Sequence, residues 1–159
     1  MKGIYLLLGS NLGDSRQKLT DAIKHIELSI GKVIKQSSIY ATQAWGIEDQ
    51  PDFLNQVVEI DSKYGPERIL SEINEIERLL GRVRRIKWHS RIIDIDILYY
   101  GEQVLNLENL IIPHQEIENR KFALKPMTEI APKFVHPILF ESQKELLAKC
   151  KDHLSVEKI

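Results

Sequence analysis

Two acidic residues separated by one isoleucine, Asp94 and Asp96, interrupt an otherwise apolar run from Ile92 to Tyr100. The run has the composition of a strand, in which residues two apart point to the same face, about 6–7 Å from each other. The pattern therefore predicts both carboxylates on one face, with Ile93, Ile95, Ile97 and Tyr99 on the other. Adjacent like charges repel and are costly to desolvate, so a purely structural strand gains nothing from them. A divalent cation removes that cost, and paired carboxylates can hold two ions about 3.5–4 Å apart for a phosphoryl-type displacement. Just upstream, Arg82, Arg84, Arg85, Lys87 and Arg91 surround Trp88. Cations beside metal-holding acids suggest a polyphosphate substrate. On these residues alone two plainer explanations stay open: a solvated sheet face, or pairing of the aspartates with the arginines.

A second pair of interest is Phe53 and Asn55, which share a face at the start of a strand predicted over Phe53 to Ile60. An aromatic face can stack on a flat heterocycle, and an amide can both donate and accept hydrogen bonds at its edge. Core packing of Phe53 and a ladder end at Asn55 would fit the segment equally well. Before this strand, Ala41 to Asp52 is too polar and too rich in Gly and Pro for a regular element, and it carries Trp45. Long irregular segments inside compact domains are often functional.

The remaining elements must position these groups. Gly3 to Gly9 is nearly all apolar and predicts a central strand, followed by the turn formers Ser10 to Asp14. Asp14 or Ser15 can cap a helix carrying Leu19, Ala22, Ile23, Ile26 and Ile30, which stops at Gly31. Val33 to Tyr40 predicts a second strand. Gly65-Pro66 opens a second helix with a stripe of Ile69, Ile73, Ile76 and Leu80. Glu77 lies at the border of that stripe, either facing the basic segment or simply solvated. After the aspartate strand, Gly101-Glu102 makes a turn from which Gln103 to Leu105 returns as a hairpin partner. A helix from about Ser142 to His153 follows, with Leu146, Leu147 and Cys150 on one side.

The 159 residues fit one domain, 1–159, with a sizeable core, and 43% hydrophobic with 28% charged residues is ordinary globular composition. A net charge of −1 argues against a general nucleic-acid binder and makes the basic segment a local feature. The lone Cys150 excludes an internal disulfide and a cysteine-based zinc cluster. No basic-plus-apolar leader and no apolar run of roughly 18 residues is present, so a cytoplasmic protein without a membrane partner is expected.

Several blocks together resemble the 6-hydroxymethyl-7,8-dihydropterin pyrophosphokinase family. They are Gly9-Ser10-Asn11-Leu12-Gly13; Asp49-Gln50-Pro51-Asp52-Phe53 with Asn55; Arg82-Val83-Arg84; Arg91 with Asp94-Ile95-Asp96-Ile97-Leu98; Ile112-Pro113-His114; and Asn119-Arg120-Lys121-Phe122. The resemblance implies an α+β fold with a ferredoxin-like core, a mainly antiparallel sheet packed by helices. It also implies transfer of the β,γ-pyrophosphate of ATP to 6-hydroxymethyl-7,8-dihydropterin with release of AMP, in folate biosynthesis. Separately, a monomer is expected. By the same resemblance Asp94 and Asp96 hold two Mg²⁺ ions and, with Arg82 and Arg91, form the catalytic group. Thr42, Trp45, Phe53, Asn55, Trp88 and Phe122 make the pterin pocket. Glu77, Arg82, Arg84, Trp88, Arg91, Ile97, His114 and Arg120 contact ATP. Taken without the family, His114 beside a proline reads as a turn residue.

This chain also departs from the family pattern. Trp88-His89-Ser90-Arg91 stands where members often have Trp-Gly-Pro-Arg, Asn109 where many have Arg, and Gln115 where many have an aromatic. Two other functions would use some of the same residues. A metal-dependent nucleotidyltransferase would release pyrophosphate instead of AMP. A ferredoxin-like RNA-binding module would grip phosphate with the arginines and stack a base on Phe53, but its acids would repel RNA.

Overall fold

A computed structural model describes residues 1–43, 51–81 and 92–159. Strand β1 (Ile4–Ser10) is the apolar run, buried along its whole length. Helix α1 (Ser15–Ser29) is capped by Asp14, whose Oδ1 accepts the Gln17 N–H at 3.2 Å, and it buries Leu19, Ala22 and Ile26. Its exit needs a glycine, because a Cβ on Gly31 would stand 2.2 Å from the Asp61 carbonyl oxygen.

The second strand is broken in two. β2 (Lys32–Gln36) pairs with the far end of β4 (Phe53–Asp61), and β3 (Tyr40–Thr42) pairs with its beginning. At the break, Ser37 Oγ accepts the Val57 N–H at 3.0 Å where a ladder carbonyl would otherwise stand. The neighbouring Ser38 N–H and hydroxyl donate to Glu129. Local side-chain bonds of this kind displace the regular ladder, and they explain why the prediction of one continuous strand fails.

Helix α2 (Pro66–Leu79) packs beside α1, and β5 (Asp94–Tyr100) completes the sheet against the free side of β1. Taken as one bent strand, β2 and β3 give the order β5-β1-β4-β2/β3, with every pairing antiparallel. With α1 and α2 on one face, this is the β-α-β-β-α-β ferredoxin-like arrangement. The expected α+β fold with a mainly antiparallel sheet is what the structure shows.

The alternation in β5 changes phase near its end. Ile93, Ile95 and Ile97 enter the core under α1 and α2, as predicted, but Tyr99 does not. A bulge opposite Tyr5 and Leu6 leaves Leu98 without a partner in the ladder. One extra residue flips everything beyond it. Tyr99 therefore joins Leu98 on the aspartate face, and Tyr100 takes the isoleucine face.

Beyond β5, the segment expected to return along it pairs elsewhere: β6 (Leu105–Leu107) forms a separate hairpin with β7 (Leu110–Ile112). Helices α3 (Lys121–Ile130) and α4 (Gln143–Lys149) cover the lower half of the aspartate face through Ala123, Leu124, Met127 and Leu146. The closing helix is thus shorter than predicted. It is followed by strand β8 (Val156–Lys158), which pairs with β3. No described helix is long and apolar enough to cross a membrane. Among the described residues no helix covers the upper half of the aspartate face.

Candidate active site

Strand register brings the predicted residues together on that open half. Gly9 pairs with Asp94 on one side and with Asn55 on the other; Leu7 likewise joins Asp96 to Val57. Thr42 pairs with Phe53 one strand further out. Two strand steps of about 4.8 Å put Asp94 and Asn55 about 10 Å apart across the sheet. Above this floor lies a cavity of 270 Å³, walled by Arg120 and Phe122 from the start of α3 and by Leu154. Its two ends differ chemically. The acids and Arg120 stand at one, and Thr42, Gln43, Phe53 and Asn55 at the other. The Arg120 guanidinium lies 5.8 Å from the Phe122 ring centre, so a cation and an aromatic face open on the same space.

Asn55 is 6% exposed and Thr42 4%, and among the described residues the Thr42 hydroxyl has no hydrogen-bond partner. Buried polar atoms of that kind normally have a partner, and here a ligand could supply it. Gly9, the last residue of the predicted central strand, shapes the pocket. A Cβ at Gly9 would stand 2.8 Å from Asn55 Oδ1. Gly9→Ala should therefore leave the melting temperature within a few degrees but displace the Asn55 amide, weakening binding of the cavity's ligand about tenfold or more. Calorimetric titration beside a thermal melt checks this.

The turn after β1 also holds the site's edges. Ser10 Oγ donates to the Ile92 carbonyl just before β5, and Asn11 Nδ2 donates to the Pro51 carbonyl just before β4, at 3.3 Å.

A second cavity of 380 Å³ shares Asp96 and Arg120 with the first and continues past Ile97, His114 and the β6–β7 hairpin. Asp96 and Arg120 thus stand where two cavities meet, with Asp94 on the first. His114 is tied to β5 by its N–H, which donates to the Leu98 carbonyl at 3.0 Å. Its Nδ1 accepts the Glu116 N–H at 3.4 Å, which leaves the proton of the neutral ring on Nε2. Burial, and then the nearby Arg120 charge, hold the ring below the ordinary histidine range. Glu77 proves to be buried, not at a solvated border. Its Oε2 accepts the Ile95 N–H at 2.9 Å, on the outer edge of β5 between the two aspartates.

Among the described residues no three His, Cys, Asp or Glu side chains converge. Trp45, Arg82, Arg84, Trp88 and Arg91 lie outside the described residues. The sequence reading missed Leu7, Gly9, Gln43 and Leu154 as cavity residues. The first two share a face of β1 by alternation, and the register assigns that face to the site.

A polar, partly aromatic cavity that meets a second cavity at Asp96 is suited to group transfer between two substrates. Residues 5–132 match the family model described as 7,8-dihydro-6-hydroxymethylpterin-pyrophosphokinase, and the chain belongs to that family. It is 41% identical over 160 residues to the 2-amino-4-hydroxy-6-hydroxymethyldihydropteridine pyrophosphokinase of Methylorubrum extorquens, covering 100% of this chain and 99% of that protein. It is 39% identical over 152 residues to the folic acid synthesis protein fol1 of Pneumocystis carinii, covering 96% of this chain but only 20% of that much longer protein. The crystal structure of Plasmodium falciparum HPPK-DHPS shares the fold with a TM-score of 0.75 at 19% identity, covering 94% of this chain and 43% of that one.

Proposed function

We propose that the chain transfers the β,γ-pyrophosphate of ATP to the hydroxymethyl oxygen of 6-hydroxymethyl-7,8-dihydropterin, releasing AMP. The observation that carries this reading is the position of Asp96 at the junction of two cavities, with Asp94 beside it on the first. The pterin occupies the first, between Phe53 and Phe122, with Asn55 and Thr42 at its polar edge. ATP occupies the second, along Ile97 and His114, with its phosphates reaching Arg120. Glu77 acts one step back, fixing the strand that carries the acids.

Asp94 and Asp96 would hold two Mg²⁺ ions. Two carboxylates, with no third His, Cys, Asp or Glu converging among the described residues, suit an ion that completes its shell with water and phosphate oxygens. Bound there, Mg²⁺ would supply charge neutralisation on the transferring group. The protein's own part is to align the hydroxymethyl oxygen with the β-phosphorus, to neutralise charge through Arg120, and to exclude water. Arg82, Arg84 and Arg91 would add phosphate contacts, and Trp45 and Trp88 would complete the pterin pocket. We read the enzyme as a single-domain, cytoplasmic monomer. Scoring AMP from ATP in the presence of hydroxymethyldihydropterin tests the reaction, and pyrophosphate as product would overturn it.

His114 gives this reading a pH signature. Its affinity for a proton is depressed in the free protein, and a polyphosphate beside Nε2 would raise it. Binding of an ATP analogue should therefore take up protons between the depressed value of the free protein, below about 6.5, and the raised value of the complex, and affinity should rise as pH falls through that window. Calorimetry in buffers of different ionisation enthalpy measures the uptake. His114→Gln should reduce it to the nucleotide's own contribution.

A further inference from the structure

Leu154 lies outside the span matched by the family model, yet it lines the first cavity opposite the acids. Its position is held from several sides. Asp152 Oδ1 accepts the Leu154 N–H at 3.0 Å, and Oδ2 accepts the Lys121 N–H at 3.1 Å. That second bond caps α3, whose own N-cap residue, Arg120, makes no side-chain cap, one residue before Phe122. Two residues further on, Val156 pairs with Thr42, and its carbonyl accepts the Lys125 ammonium at 2.8 Å. One short segment thus ties together the helix that carries Phe122 and the strand that carries Thr42. Leu154 stands between them, half-buried, with its side chain on the cavity. Among the described residues Leu154 joins neither apolar core, and a free surface would favour a polar side chain.

We propose that Leu154 is a specificity-determining wall of the pterin cavity: it closes the slot between Phe122 and Thr42, excludes water from the bound heterocycle and limits its width. This rests on the reading of that cavity as the pterin site. The wall contacts ring atoms that do not change during transfer, so it acts on binding and not on the chemical step.

The test compares Leu154→Ala, Leu154→Met and Leu154→Trp with the parent and with Asn55→Ala, titrating hydroxymethyldihydropterin and a non-hydrolysable ATP analogue separately. Truncation to alanine should weaken pterin binding about 5- to 20-fold and raise its KM alike, while kcat at saturation and ATP-analogue affinity stay within about twofold. Methionine, of similar volume, should restore binding to within about threefold, and tryptophan should block it by filling the slot. The inference is overturned if Leu154→Ala binds pterin as the parent does, or if it loses both ligands equally. If Asn55→Ala loses pterin while Leu154→Ala does not, the wall fails and the cavity assignment stands. If the parent itself does not bind pterin, the cavity assignment falls and the wall falls with it.

Discussion

Replacing Asp94 or Asp96 by asparagine should lower turnover roughly 10³-fold or more while leaving the fold intact. Both side chains stand on the open half of the sheet, and the core on that strand is made by Ile95, Ile97 and the residues around the bulge. Neither substitution removes buried apolar surface. What each removes is a ligand for the charge-neutralising ion, worth several kcal/mol of transition-state stabilisation. A thermal melt separates this from a structural role. Ligands at about a hundred times their Kd stabilise the native state by roughly 2.7 kcal/mol. For a domain of this size that is a rise of roughly 5–10 °C. The parent should show that rise with Mg²⁺ and an ATP analogue, and each variant should lose most of it while keeping its ligand-free melting temperature within a few degrees. A variant that is clearly destabilised yet still turns over would assign the aspartates to structure.

The sequence disclosed the site better than it disclosed the connections around it. Asp94 with Asp96 and Phe53 with Asn55 are legible because a period of two depends on nothing outside the strand. That these pairs face one another is not legible. It follows from the register Asp94–Gly9–Asn55, which the pairing partners set. The same non-locality hid the bulge that turns Tyr99 over, since the skipped residue exists only relative to β1. Glu77 looked peripheral because its partner is a backbone N–H on the outer edge of β5. Exposed sheet edges are commonly covered in some such way. The segment around Leu154 gave no signal at all. β8 is three residues long, and the bonds that fix it come from Lys121 and Lys125, more than two dozen residues earlier in the chain. Of the stretch that first drew attention, the acidic half is placed by the structure, while the cationic half lies outside the described residues.

Asn55→Ala should be the most selective lesion in the pocket. The residue is buried at the end of the cavity away from the acids, beside the one position of β1 that has no Cβ. Glycine there leaves the amide room to present its carbonyl and its N–H groups to a ligand edge. A heterocycle bound without that amide keeps its stacking surfaces but buries a donor or acceptor unpaired. Leaving a buried group unsatisfied costs roughly 1.4–3 kcal/mol, or about 10- to 150-fold in affinity. ATP-analogue binding should stay within about twofold, because the second cavity shares only Asp96 and Arg120 with the first. The stability cost should be small, since truncation enlarges a cavity that is already open. Separate titrations of pterin and nucleotide decide the matter. Equal loss of both ligands would mean that Asn55 supports the sheet and does not read the substrate, and the assignment of the two cavities would then have to be exchanged or abandoned.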